Sequence, residues 1–132
     1  MKPPNTLEQR SAWTLDALNY LDQGISVFDQ NLRLIACNQR MIELLEVPET
    51  LMVTDQHIGE IFRFNAQRGE YGEGDIDKLV AERVRLAETF EPHVFDRIRP
   101  DGTIIEVRGN PMQNNGGFVT TYTDVTEQRQ SE

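Results

Sequence analysis

From the amino terminus, Leu7, Leu15, Leu18 and Leu21 fall roughly on one stripe, flanked by Trp13, Ala17 and Tyr20. That spacing is the signature of a helix with one apolar face. Thr6 and Gln9 stand in front of it at capping-box spacing, and Gly24 stops the run, so a helix is expected over residues 7–22. The period then changes. Gly24-Ile-Ser-Val-Phe-Asp29 and Leu32-Arg-Leu-Ile-Ala-Cys37 are short β-rich runs on either side of Asp29-Gln30-Asn31, and they read as a hairpin. Asn38 is suited to cap a short helix carrying Met41, Ile42, Leu44 and Leu45, which ends before Pro48 because the residue ahead of proline avoids helical angles.

Residues 48–74 mix apolar clusters (Ile58, Ile61, Phe62, Phe64) with the loop-like Arg68-Gly-Glu-Tyr-Gly-Glu-Gly74, and predict helical turns followed by a loop. From Asp75 helical spacing returns at Ile76, Leu79, Val80, Val84, Ala87 and Phe90 until Pro92 closes the segment; this helix is expected to press on a sheet. Three strands follow, over 93–99, 103–110 and 117–123, separated by the hairpin signals Pro100-Asp-Gly102 and Asn114-Asn-Gly-Gly117. Ile105 and Val107 alternate with Glu106 and Arg108, so one face of the meander is buried. Asp124 and Glu127 repeat the capping-box spacing and predict a helix starting at Val125. With only about two turns available, that helix is marginal alone, and it is expected to continue in a longer parent or to dock on another helix.

The length of 132 residues suits one α+β domain. A net charge of −9 repels phosphate backbones and anionic lipid, and the basic residues form no run, so nucleic acid is not an expected partner. Cys37 is the only cysteine and cannot form an internal disulfide, and the sequence opens on no charged-then-apolar leader, so a cytoplasmic location is expected. No apolar stretch is long enough to span a bilayer, and no membrane crossing is expected within this segment.

The element order and several local sequences resemble the PAS family. Gly24-Ile-Ser-Val-Phe-Asp29 followed by Leu32-Arg-Leu-Ile-Ala-Cys-Asn38 is similar to that family's opening hairpin and its asparagine. Arg99-Pro-Asp-Gly102, Gly117-Phe-Val-Thr-Thr-Tyr122 and above all Asp124-Val-Thr-Glu127 resemble its closing half. Residues 63–75 resemble a subgroup found ahead of bacterial histidine kinases and nucleotide cyclases. The resemblance covers about residues 20–127. It implies a five-stranded antiparallel sheet in the order 2-1-5-4-3 with helices on one face, a flanking helix over 1–22, the PAS domain over 23–124 and the start of an output helix over 125–132. It also implies dimerisation through the terminal helices, with Leu7, Leu15, Leu18 and Leu21 as interface candidates. The leucine stripe has a second reading, in which it covers its own sheet.

The expected function is relay of a signal to a linked or partner effector such as a kinase or cyclase, with a small-molecule or cofactor sensor as the alternative. Because the last strand leads straight into the Asp124 cap, Asp124 and Thr126 are the expected coupling residues. Losing such a cap costs about 1 kcal/mol, enough to bias a two-state element. No cofactor is assigned. Cys37 lacks the asparagine-cysteine-arginine setting of photoreactive flavin domains, and the helix over 76–90 has no histidine for haem. His57 and His93 lack a second ligand at metal spacing, so no metal site is expected. The Gly69–Asp75 loop carries three acids and lacks a phosphate-loop lysine, which makes it a solvated loop with Tyr71 pinning it to the core. Arg63 and Asn65 are the candidates for a ligand-contacting role, against the plainer reading of capping or a surface ion pair. Nucleophile-elbow, zinc, Walker, kinase and cyclase motifs are all missing, so no catalytic residue is expected.

Overall fold

The computed structural model describes residues 3–132. Helix α1 (Leu7–Ala17) opens with the Thr6–Gln9 capping box, Gln9 N–H donating to Thr6 Oγ1 at 3.0 Å while the Gln9 amide oxygen accepts from Thr6 N–H at 3.2 Å. The helix is shorter than its apolar stripe suggests. It tightens into a 3-10 turn over Leu18–Tyr20, and Leu21 is already extended. The reason lies elsewhere in the chain: the carbonyls of Leu18 and Gln23 accept from the Asn38 side chain at 2.7 and 2.9 Å, which fixes the segment in a non-helical path.

Strands β1 (Gly24–Phe28) and β2 (Leu34–Cys37) form the first hairpin. Pairing begins at Leu34, two residues later than the β-rich run, because Asp29 folds the turn inward: its carboxylate accepts from Asn31 and Arg33 N–H, and Leu32 takes φ +61°. Gly24 is required by close approach, since a Cβ there would lie 2.7 Å from the Met41 Cα. Helix α2 (Gln39–Leu45) is capped by Asn38, and a 3-10 turn (Glu49–Leu51) leads to α3 (Ile58–Gln67), capped by His57.

Helix α4 (Ile76–Ala87) is capped by Asp75 as expected, but it ends before Phe90, which adopts φ +52°. It packs chiefly on α3, with Val80 its only buried residue. Strands β3 (His93–Ile98), β4 (Ile104–Pro111) and β5 (Phe118–Asp124) form the antiparallel meander, and α5 (Thr126–Gln130) follows. The sheet is wholly antiparallel in the order β2-β1-β5-β4-β3.

Alternation assigns the two faces. Ile105, Val107 and Gly109 of β4 are buried, and their partners across the ladders, Arg97, Phe95 and His93 on β3 and Tyr122 and Thr120 on β5, therefore share that inner face. The core lies between the β1–β5 half of this face and α2–α3, built on Phe28, Leu34, Met41, Leu45, Ile61 and Ile105. Both outermost strands have one unpaired side. The β2 side is partly covered, as Leu34 exchanges backbone hydrogen bonds with Asp55 and Gln56. The β3 side carries exposed Val94 and Ile98, with Pro92 and Pro100 just outside its ends.

Candidate functional site

At the junction of β5 and α5, the strand continues to Asp124, paired with Ile105. The next residue, Val125, is buried and donates its N–H to the Ile104 carbonyl at 2.9 Å. Thr126 Oγ1 accepts from Ile104 N–H at 2.9 Å and donates to Asp124 Oδ1 at 2.6 Å, and the same carboxylate oxygen accepts from Thr126 N–H at 3.0 Å. These bonds hold the Asp124 carboxyl below the ordinary aspartate range, the Thr126 hydroxyl contributing most. The expected capping box does not form: Val125 is the N-cap and has no side-chain bond to the helix. Sheet pairing draws Asp124 into β5, so its carboxylate braces the strand end across one residue instead of capping the helix.

Arg129 fastens the far end of α5. It donates from Nε to Asp96 Oδ2 of β3 at 2.7 Å and from Nη2 to Glu106 Oε2 of β4 at 3.1 Å. The incoming segment reaches the same region, Gln23 Nε2 donating to Thr123 Oγ1 of β5 at 2.8 Å. Entering and leaving segments are thus tied to adjacent residues of one strand.

The other candidates are dispersed. Arg63 is partly exposed on α3 and pairs with Asp77 of α4 at 2.8 Å. Asn65, two residues on and hence turned to another side of the helix, is buried; its amide donates to Tyr71 Oη at 3.3 Å, and its Oδ1 has no partner. Leu7, Leu15 and Leu21 are exposed and Leu18 is half-buried, so α1 does not bury its stripe on its own sheet. Leu15 instead lines an open hollow of about 290 Å³ with Ile35 and Cys37 of β2 and Met52. Burial pushes the Cys37 thiol up, away from reactive thiolate character. The His57 ring accepts from Gly59 N–H through Nδ1, and His93 stacks on Phe118. Among the described residues no group of three histidines, cysteines or carboxylates is placed to hold a metal ion, and no helix is long and apolar enough to cross a membrane.

Two groups escaped the pattern of the sequence. Arg68 donates to the Leu45 and Glu46 carbonyls and Arg99 to that of Leu44, so two arginines satisfy the last carbonyls of α2. Arg99 also pairs with Glu70 at 2.7 Å and Glu46 at 3.0 Å. Nearby, Arg83 of α4 and Arg97 of β3 lie over the Tyr71 ring, at 3.5 and 5.6 Å from its centroid. No local period marks either group; an arginine at an alternate position of β3 is the only trace.

A family model described as the PAS fold matches residues 18–132. Among solved structures, the PAS domain of BvgS from Bordetella pertussis is similar, with 19% identity over 92% of this chain and 90% of that one and a TM-score of 0.63. The PAS domain of an HTR-like protein from Haloarcula marismortui is 19% identical over 89% of this chain and 99% of that one, with a TM-score of 0.51. A phage VqmA–DPO complex is 13% identical over 94% of this chain and 56% of that one, with a TM-score of 0.59. No curated protein matches the chain.

Proposed function

Since the chain belongs to the PAS-fold family, we propose that it is a signal-relay module that acts as a homodimer and drives a linked or partner effector, such as a kinase or cyclase, through α5. The observation that carries this reading is the Thr126 hydroxyl, which receives Ile104 N–H from the start of β4 and gives its own proton to Asp124 at the end of β5. A shift of β4 against β5 cannot keep both bonds, so distortion of the sheet loosens or re-aims the helix. Arg129 extends the same coupling to β3 through Asp96.

The test is a fusion in which α5 runs in helical register into a histidine kinase or cyclase. Alanine at both Asp124 and Thr126 is expected to change the effector's output several-fold while the domain stays folded. Unchanged output, with folding confirmed by circular dichroism, rejects the relay. A second reading, a small-molecule sensor, is favoured by one feature: α4 lies on α3, and the inner face of β3 is left partly uncovered, with Phe95 45% exposed.

A further inference from the structure

We propose that the uncovered inner face of β3 binds a small amphipathic carboxylate, its carboxylate held by Arg97 and Arg83 and its apolar body lying over Phe95. The inference rests on the sensory reading of the chain and names the chemical class of what is sensed.

The chain has 22 acidic residues against 13 basic ones, and Arg63, Arg68, Arg99, Arg108 and Arg129 all pair with carboxylates. Arg83 and Arg97 are half-buried, yet among the described residues neither enters an ion pair; both spend their guanidinium on the face of Tyr71. Arg40 is likewise half-buried without an ion pair but donates to the Asp22 carbonyl; two guanidiniums on one ring form a cationic site that the net charge does not foreshadow. Glu70 on the Tyr71 loop pairs through Oε1 with Arg99 and Arg68, and Asp77 at the start of α4 pairs with Arg63. Arg97 lies close enough to Arg68 that the two positive charges oppose each other.

Unused hydrogen-bonding capacity points to the same place. Tyr71 Oη accepts from Asn65 Nδ2 but donates to no protein group. A carboxylate reaching the guanidinium pair would find the phenol proton as a further donor. Along β3, inner-face side chains recur every second residue, about 7 Å apart. Phe95 therefore follows Arg97, and after it comes His93, which contacts Phe95 and Phe118. A cation followed by an accessible aromatic surface fits an anion with a hydrocarbon or aryl body. A multiply charged inorganic anion would leave Phe95 unused and would face the acidic field of the whole molecule at greater cost.

The experiment titrates the full 132-residue chain with phenylacetate and octanoate, followed by calorimetry and by amide chemical shifts, beside acetate, inorganic phosphate and phenethylamine as controls. Saturable binding of the two amphipathic carboxylates is expected, with shifts at Tyr71, Phe95 and Arg97, at least about tenfold weaker binding of acetate and phosphate, and none of the amine. Arg97→Gln should weaken phenylacetate about tenfold or more, as for a lost charge-assisted contact, with Arg97→Lys falling between. Urea midpoints show whether each variant folds, and the lysine variant serves if the glutamine one does not. No saturation at millimolar ligand, equal binding of all anions, or affinity indifferent to both Arg97 variants overturns the proposal. Binding is read without an effector and relay at the effector, so either can fail while the other stands.

Discussion

Asn38 is buried with its amide saturated. Oδ1 accepts from Ile25 N–H at 2.9 Å and Met41 N–H at 3.1 Å, and Nδ2 donates to Leu18 and Gln23. One buried side chain thus caps α2, ties it to β1 and ends the helical path after α1. Asn38→Ala orphans two donors and two acceptors, and should lower unfolding free energy by about 2–4 kcal/mol in a urea titration. Arg99 poses the corresponding case for charge. Its removal leaves the Glu70 side chain, 3% exposed, without its shortest ion pair, so Arg99→Met should cost about 3–5 kcal/mol, and pairing it with Glu70→Leu should recover much of that loss. Asp124 supplies a pH dependence. Its folded-state carboxyl titrates below the ordinary 3.8, so its stabilisation is fully present above that value and is lost as pH falls through the lower folded value. The Thr126 amide resonance should report the loss on acid titration, and Asp124→Asn, which retains the acceptor, should remove the dependence.

Elements formed by local chemistry are legible in the sequence, and those bounded by distant partners are not. The Thr6–Gln9 box and the Asn38 and Asp75 caps involve neighbours within one turn and form as their spacing dictates. The strands β3 to β5 follow from Pro100-Asp-Gly102 and Asn114-Asn-Gly-Gly117, because such turns leave the chain little alternative to pairing. Asp124-Val-Thr-Glu127 has the spacing of a capping box yet builds a different device, since ladder bonds to β4 claim its first residues. Arg99 lies 55 residues from the carbonyl it satisfies in α2, a distance over which periodicity says nothing. Even α4, whose period is clear, packs chiefly on α3, because an apolar stripe specifies a buried face without naming its neighbour. His57, half-buried at the start of α3, makes its cap through Nδ1. His57→Asp should keep the cap and add a favourable charge at the helix N-terminus, raising stability by a few tenths to about 1 kcal/mol in thermal unfolding.

At the scale of the whole molecule, α1 stands apart from the core: none of its residues is buried, and Leu7 and Trp13 remain largely exposed. Deleting residues 1–17 should therefore leave the urea midpoint of the remainder nearly unchanged while converting the proposed dimer to monomer in light scattering. A dimer that survives the deletion would place the interface elsewhere. Trp13 is the sole tryptophan and reports the same event, its emission moving to the red on dilution as the pair separates. The open side of β3 has another consequence. Unsatisfied peptide groups beside exposed Val94 and Ile98 form a template for intermolecular strand addition, guarded by Pro92 and Pro100 at its ends and by the charge of Asp96 between them. Concentrated solutions should thus be prone to cross-β precipitation seeded at this strand, and Val94→Lys should suppress it without disturbing the fold.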